Sequence, residues 1–232
     1  MRRVFITGAN RGIGLEFARQ CLQRGDQVFA SCRRPGQAID LHQLNSAYPD
    51  TLTILPLDVA DPAQIESAAQ LVSSHISGLD ILINNAALHS RGDTLEALEA
   101  EQMLELLQVN AVAPVMVVQR FSDLLSAGDQ PKVLNISSRL GSITRKKDAS
   151  KYDYSASKAA LNMYTRILAH ELKEKGIIVI ALSPGHVNTR PRPLNAPLSP
   201  EESIKGMLTV IDALTLEKSA AFIHMDGTEV PW

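Results

Sequence analysis

Two side chains that could transfer a proton together lie four residues apart in the stretch KYDYSASKAALNMY, residues 151–164. Tyr154 carries a phenol and Lys158 an ammonium group, and residues four apart on a helix share a face. A phenol with a pKa of about 10 transfers protons poorly at neutral pH, whereas a nearby ammonium favours the phenolate and lowers that pKa. The same spacing is typical of an exposed helix surface, so the rest of the chain decides between these interpretations. Tyr152 is the rival phenol, but four residues after it lies Ala156.

Short apolar runs alternate with longer amphipathic stretches along the chain. Most of these runs are continuously apolar, which is typical of strands buried on both faces of a parallel sheet. We predict strands at 3–7, 27–32, 52–57, 79–84, 132–137, 177–182 and 220–225. Helices are predicted near 12–24, 62–76, 95–127, 153–175 and 200–216, with a weaker one near 36–46. The alternation predicts an α/β fold: a single doubly wound Rossmann domain over residues 1–232, with a central parallel sheet of about seven strands flanked by helices.

Local signals place three helix ends. Asp61 and Ser199 precede Pro62 and Pro200, which is the arrangement of an N-cap followed by proline at the first helical position. Gly176 stands where a left-handed C-cap would end the helix predicted near 153–175.

The composition excludes several classes of protein. The net charge is −2, from 23 basic and 25 acidic residues, so the chain lacks the basic footprint of a general nucleic-acid binder. No apolar run is long enough to span a membrane. Cys21 and Cys32 are the two cysteines, which do not make a disulfide framework, and we interpret them as reduced thiols of a cytoplasmic protein. The motif VFITGAN starts within a few residues of Met1, so we expect no signal peptide. The six histidines show no metal-ligand spacing, and we expect no metal.

The segment VFITGANRGIGLEFARQCL is predicted to form a strand, a glycine turn and a helix. Gly8, Gly12 and Gly14 let the chain turn tightly and bring backbone N–H groups close to a pyrophosphate at the helix N-terminus. The alternative is a turn that only requires a positive φ. The position between strand and helix favours a dinucleotide-binding loop.

The end of the second strand indicates which dinucleotide is bound. An acidic residue there bonds the ribose hydroxyls of NAD, whereas arginine accommodates the 2′-phosphate of NADP. The sequence QVFASCRRPG has no carboxylate at this point and continues with Arg33 and Arg34. Arg11, in the glycine loop, could contact the same phosphate, because the planar guanidinium suits phosphate. The sequence therefore favours NADPH (NADP+) over NAD(H). The alternative is that Arg33 and Arg34 are ordinary surface charges.

Seven short motifs in a fixed order resemble those of the short-chain dehydrogenase/reductase family. They are TGANRGIG (7–14), LDV (57–59), NNAA (84–87), VNAVAP (109–114), NISS (135–138), YSASK (154–158) and SPGHVNT (183–189), and together they cover nearly the whole chain. The ending DGTEVPW and the segment NISSRLGSI are similar to the C-factor-like and Sniffer-like carbonyl reductases, a subgroup of that family.

The resemblance implies four catalytic residues. Tyr154 would be the general acid in carbonyl reduction and the general base in alcohol oxidation, with Lys158 lowering its pKa and bonding the nicotinamide ribose. Ser138 would hold and polarise the substrate oxygen, and its neighbour Ser137 is the alternative. Asn110 would hold a water in a proton relay behind Lys158. The spacing from Ser138 to Tyr154 is a few residues longer than is common in the family, with the extra length in RKKDASK (145–151).

The resemblance also implies how the cofactor is held. Asp58 would bond the adenine amino group, Val59 would pack beside the ring, and residues 184–189 would hold the nicotinamide end. The expected cofactor-binding residues are Gly8, Asn10, Arg11, Gly12, Ile13, Gly14, Arg33, Asp58, Val59, Asn85, Ala86, Tyr154, Lys158, Pro184, Gly185, Val187 and Thr189. The family usually has glycine where this chain has Ala87, a departure that bears on the rate of the reaction.

The family covers its substrate with the segment that corresponds here to residues 189–200, and its shortness implies an open site for varied carbonyl or alcohol substrates. Pocket candidates are Leu88, His89, Leu140, Ile143, Tyr152, His186 and Arg190. The helical stretches 95–127 and 153–175 resemble those that pair subunits in the family, so we expect a homodimer or homotetramer, although their apolar residues could equally serve the monomer's core.

Three function classes follow from this. The first is an oxidoreductase of the carbonyl reductase type that transfers a hydride between NADPH and a carbonyl or alcohol. The second is an NADP(H)-binding signalling or regulatory protein of the C-factor type with little turnover. The third, an α/β hydrolase, would need a G-x-S-x-G elbow, which the sequence does not contain.

Overall fold

The computed structural model describes residues 1–89, 94–189 and 196–232. In these ranges the chain forms a seven-stranded sheet in the order β3-β2-β1-β4-β5-β6-β7, with all neighbouring strands parallel. The strands are β1 (Arg3–Ile6), β2 (Gln27–Cys32), β3 (Leu52–Pro56), β4 (Ile81–Asn84), β5 (Lys132–Ile136), β6 (Ile178–Ser183) and β7 (Phe222–His224). The predicted fold class, a doubly wound parallel sheet, is confirmed. The strand order reverses between β1 and β4, which is where sheets of this type bind their ligands.

Helices cover both faces of the sheet. They are α1 (Gly12–Gln23), α2 (Ile39–Ala47), α3 (Pro62–His75), α4 (Ala100–Leu107), α5 (Ala113–Ser126), α6 (Tyr152–Glu171) and α7 (Pro200–Asp212). Successive residues of β1 pack on opposite sides, as the two-residue period of a strand requires. Val4 and Ile6 join the apolar cluster that contains buried residues of α1, α2 and α7, whereas Phe5 joins the cluster with α3, α5 and α6.

The helix ends indicated by the sequence are confirmed. The Asp61 carboxylate accepts hydrogen bonds from the backbone N–H groups of Ala63 and Gln64. Ser199 forms a reciprocal capping box with Glu202 at the start of α7. Gly176 adopts a φ of 69°, the left-handed conformation expected where the chain leaves the helical region after α6.

The prediction of a single continuous helix near 95–127 is wrong. A short 3₁₀ turn at Leu95–Ala97 precedes α4, and a π-helical turn at Gln108–Val112 separates α4 from α5. Pro114 lacks an N–H group, and a proline ring in a regular helix clashes with the carbonyl four residues earlier, which here belongs to Asn110. The wider π turn relieves this conflict, and such turns often occur at functional sites.

No helix in the described parts of the chain is both long enough and apolar enough to cross a membrane.

Candidate active site

The loops after β1 and β4 are tied together by side-chain hydrogen bonds. The Thr7 hydroxyl accepts hydrogen bonds of 3.0 Å from the backbone N–H groups of Asn85 and Ala86. In return, the Asn85 amide donates to the backbone oxygens of Thr7 and Gly8, at 2.9 and 3.0 Å. Asn85 therefore holds the glycine loop in place, and Ala86 lies next to Gly8 of that loop.

The glycine loop can only be built from glycine at two of its positions. Gly8 has a φ of 67°, and a Cβ atom there would lie 2.9 Å from the Cα of Ala86. A Cβ at Gly14 would lie 2.5 Å from the Asn85 amide nitrogen and would also clash with the Gly8 oxygen. Such a close approach suits a pyrophosphate bound at the N-terminus of α1, in the cleft at the carboxyl ends of β1 and β4.

The remaining loop residues have different surroundings. Asn10 and Arg11 are exposed at the tip of the loop, whereas Ile13 is half-buried and packs against the core. Arg11 is the N-cap residue of α1, and no side chain caps this helix within the described ranges. The first N–H groups of α1 therefore remain available to an anion.

The end of β2 presents arginines rather than a carboxylate. The Ser31 oxygen accepts a 2.8 Å hydrogen bond from Ala9 N–H, which brings β2 against the glycine loop. Arg33 and Arg34 follow it and are exposed, as is Arg11. Salt bridges between described residues involve none of these three arginines. Their charges are therefore available for a phosphate group at this corner of the cleft.

Asp58 and Val59 follow β3 with different surroundings. One carboxylate oxygen of Asp58 accepts a 3.0 Å hydrogen bond from Ala60 N–H, and its own N–H donates to the Gln64 side chain at 2.8 Å. This local turn fixes the carboxylate, and its bond to an adenine amino group stays a prediction. Val59 is buried at 8% exposure and packs into the apolar core, so its place beside an adenine ring stays a prediction.

Three of the four residues expected to be catalytic meet beyond the carboxyl end of β5. Tyr154 is hydrogen-bonded to the Ser138 side chain. The Lys158 amine is buried, donates a 2.8 Å hydrogen bond to the Ile136 oxygen and lies 5.8 Å from the centroid of the Tyr154 ring. One turn of α6 thus places the phenol and the amine together against the end of β5.

Ser137 and Ser138 differ in their hydrogen bonds. Ser137 is 2% exposed, and its hydroxyl donates a 2.6 Å hydrogen bond to the Asn162 side chain on α6. Ser138 is half-buried and accepts a 3.2 Å hydrogen bond from Leu140 N–H in addition to its contact with Tyr154. Ser137 therefore fastens β5 to α6, whereas the role of Ser138 in holding the substrate oxygen stays a prediction.

Burial shifts the two titratable groups in opposite directions. It raises the pKa of Tyr154 to about 12, and the hydrogen bond from Ser138 offsets this only in part. Burial also lowers the pKa of Lys158 to about 7. The expectation that Lys158 lowers the pKa of Tyr154 is wrong for this structure, because the amine lies over the ring face and loses much of its own charge through desolvation. At neutral pH the phenol is protonated and can act as an acid.

Asn110 lies in the π turn and is fully buried. Its side chain accepts a 2.7 Å hydrogen bond from Leu88 N–H and donates to the Leu88 oxygen at 2.9 Å. It also donates to the Ser157 hydroxyl at 3.0 Å. The residue thus joins the loop after β4 to α6, and its role in a proton relay stays a prediction.

The segment after β6 closes against the glycine loop. Gly185 has a φ of 83°, and a Cβ there would lie 2.6 Å from the Leu198 side chain. Val187 pairs with Leu198, and Pro184 accepts a 2.7 Å hydrogen bond from the Ser203 hydroxyl. The Thr189 side chain lies 3.4 Å from the position a Cβ of Gly12 would take, so the two ends of the expected cofactor site adjoin.

A family model for short chain dehydrogenases matches residues 2–196 of this chain. The chain belongs to the short-chain dehydrogenase family. It is an oxidoreductase by family, as the motif order indicated.

Several relatives of this short-chain dehydrogenase carry more specific names. The structure of an NADPH-bound carbonyl reductase from chicken fatty liver is 37% identical with a TM-score of 0.93, covering 100% of this chain and 99% of that one. The carbonyl reductase Sniffer of Drosophila melanogaster is 28% identical with a TM-score of 0.95, covering 100% of both chains. The C-signal protein of Myxococcus xanthus is 36% identical over 154 residues, which are 66% of this chain and 93% of that protein. The resemblance to the C-factor-like and Sniffer-like subgroup is confirmed.

The structure adds site residues of this short-chain dehydrogenase that sequence reasoning missed. Thr7 joins the two loops, although it stands in the quoted TGANRGIG motif. Asn162 lies four residues after Lys158 on the same face of α6 and bonds both Ser137 and the Gly141 oxygen, the latter at 3.1 Å. A Cβ at Gly141 would lie 2.7 Å from the Cβ of Lys158. The spacing of four residues between Lys158 and Asn162 could have predicted that Asn162 shares the helix face of the site, whereas no sequence pattern indicated Gly141.

The residues predicted to line the substrate pocket differ in their position and exposure. The His89 ring stacks on Tyr154, whereas Leu140 and Ile143 are exposed and line a cavity of about 190 Å³ together with residues of α6. His186 is also exposed. Leu88 and Tyr152 are half-buried, and Arg190 lies outside the described residues. No group of His, Cys, Asp and Glu side chains that could hold a metal ion occurs among the described residues.

Proposed function

We propose that this short-chain dehydrogenase is an NADPH-dependent carbonyl reductase with Tyr154 as its general acid. The observation that carries the proposal is the hydrogen bond between Tyr154 and Ser138 beside the buried Lys158 amine. Both hydroxyls can approach one carbonyl oxygen from the end of β5, where open α/β sheets place their ligands.

The residues divide the chemistry between them. NADPH, when bound, supplies the hydride that reduces the carbonyl carbon. Ser138 holds the carbonyl oxygen by a hydrogen bond and polarises it. Tyr154 donates a proton to that oxygen, and its raised pKa, about 12, keeps this proton in place until the oxygen becomes basic. Lys158 binds the nicotinamide ribose and Asn110 completes the relay behind it, as in the family that the motifs resemble.

The cofactor is assigned from the shape and charge of the cleft. The tight approach at Gly8 and Gly14 leaves room for a pyrophosphate, and the exposed arginines Arg11 and Arg33 suit a 2′-phosphate. Asp58 would bond the adenine, and the segment from Pro184 to Thr189 would hold the nicotinamide end. The NADPH bound to the chicken carbonyl reductase supports this assignment.

The domain and its assembly complete the proposal. Residues 1–232 form one NADP(H)-binding domain, with residues 189–200 as a short substrate loop, of which residues 190–195 lie outside the described part of the chain. The substrate is a small-molecule carbonyl or alcohol. Exposed apolar residues on α4 and α6, namely Leu104, Met163 and Ile167, support pairing of two copies of the chain through these helices.

A second candidate is an NADP(H)-binding signalling protein with little turnover. The similarity to the C-signal protein of Myxococcus xanthus favours it. The Tyr154–Ser138 hydrogen bond and the buried amine argue against it, because pure binding does not require a protonated phenol beside a hydroxyl.

The test is oxidation of NADPH in the presence of quinones, diketones, aldehydes and ketones. Wild type and Tyr154→Phe are compared, with NADH as a second cofactor. Turnover of NADPH that is lost in Tyr154→Phe is the expected result. Binding of NADPH without turnover of any compound would favour the signalling protein, and preference for NADH would contradict the assignment of Arg33 and Arg11.

A further inference from the structure

His89 stacks on the residue proposed as the catalytic acid. The imidazole and the phenol of Tyr154 have centroids 5.1 Å apart and planes inclined by 19°. Aromatic rings at this separation attract one another beyond the area they bury. None of the steps proposed above uses this ring.

Tyr154 is in a position that calls for such support. It lies in the first turn of α6, which begins at Tyr152, and its backbone N–H donates a 2.7 Å hydrogen bond to the Asp153 carboxylate, which fixes the backbone and not the ring. Rotation of an aromatic ring about its last side-chain torsion is only weakly restricted. The hydrogen bond with Ser138 holds the phenol oxygen, and the contact with His89 holds the face of the ring.

The position of His89 is fixed by Asn110. Both polar groups of the preceding residue, Leu88, are hydrogen-bonded to the Asn110 side chain. The same side chain donates to Ser157, whose hydroxyl donates a 2.8 Å hydrogen bond to the Tyr154 backbone oxygen. One buried amide therefore sets the loop that carries His89 against the helical turn that carries Tyr154.

We propose that His89 is a positioning residue, which keeps the phenol of Tyr154 in its reactive orientation by stacking on it. Asn110 sets the place of His89 through the Leu88 peptide. The inference rests on the proposed function, in which Tyr154 is the acid. A neutral ring suits this role, and desolvation together with the positive charges of Lys158 and Arg11 lowers the pKa of His89.

The experiment compares His89→Leu, which keeps bulk without a ring, with His89→Phe, which keeps a ring without nitrogens. We expect His89→Leu to lower kcat by roughly 2- to 12-fold, the range that corresponds to losing one aromatic pair. His89→Phe should restore kcat to nearly the wild-type value. The Kd for NADPH, measured by fluorescence titration, should be the same in all three proteins, because a positioning role affects only the acid.

Two further variants, Tyr154→Phe and Tyr154→Phe combined with His89→Leu, distinguish a failure of the positioning role from a failure of the proposed function. In a Tyr154→Phe background, His89→Leu should have no further effect on residual turnover, because there is no acid left to position. Wild-type kcat in His89→Leu, or equal losses in His89→Leu and His89→Phe, would overturn the positioning role. If Tyr154→Phe alone turned over as fast as wild type, the proposed function itself would fail, whatever the His89 variants did.

Discussion

Lys158 should make the stability of the cofactor-free protein depend on pH, because burial lowers the pKa of its amine to about 7. In the unfolded chain the same amine has a pKa of about 10.4. Between these values the unfolded chain binds more protons than the folded protein, so the free energy of unfolding rises with pH. Conversely, this stability is lost as the pH falls from about 10.4 to about 7, and below that both states are protonated.

The magnitude follows from the two pKa values. Lys158 alone should raise the free energy of unfolding by about 2–3 kcal/mol between about pH 6 and pH 9. The Lys158→Met variant keeps the length of the side chain and loses this dependence. Its unpaired Ile136 oxygen costs about 1–3 kcal/mol, but this cost is the same at every pH.

Urea unfolding, followed by circular dichroism at several pH values without cofactor, measures the effect. The difference between wild type and Lys158→Met removes the contribution of every other titrating group. Lys173→Met serves as the matched control, because Lys173 is exposed and its variant should keep the wild-type slope. Parallel curves for wild type and Lys158→Met would refute the reasoning, since they would mean that the buried amine keeps its ordinary pKa.

Four further substitutions test the arrangement of the site. Ser138→Ala should lower kcat/KM for carbonyl reduction by about 10²-fold or more, as expected for loss of a group that stabilises a developing oxyanion. Ser137→Ala should leave kcat within a few-fold of wild type but lower the Tm, because its hydroxyl fastens β5 to α6; the opposite pattern would exchange the two serines. Gly14→Ala should weaken NADPH binding by at least about 10-fold, because the added methyl group overpacks the glycine loop at a cost of about 1–3 kcal/mol. Titration of NADPH fluorescence measures this change, and an unchanged Kd would count against the glycine loop as the phosphate site. Arg33→Ser should raise the Kd for NADPH by about 10-fold or more while leaving the Kd for NADH unchanged, since a charged hydrogen bond to the 2′-phosphate contributes about 1.5–3 kcal/mol; equal weakening of both cofactors would place Arg33 away from that phosphate.

The sequence by itself determined the fold class and the candidate residues. Continuous apolar runs separated by amphipathic stretches predict a buried parallel sheet covered by helices, because helices on both sides bury both faces of such strands. Asp61 and Gly176 marked helix ends because capping depends on local chemistry, and the structure confirms both. The pairing of Tyr154 with Lys158 followed from the helical repeat, which is equally local.

Only the tertiary structure decided how those residues interact. The π turn at Asn110 and the different hydrogen bonds of Ser137 and Ser138 depend on which side chains meet across β4, β5 and α6, and these contacts join residues far apart in the chain. The pKa of Tyr154 was predicted with the wrong sign, because spacing indicates which charges are near and not how much water burial removes. His89 stacks on Tyr154 while a side chain 22 residues further along bonds the Leu88 peptide, and no local pattern predicts either contact.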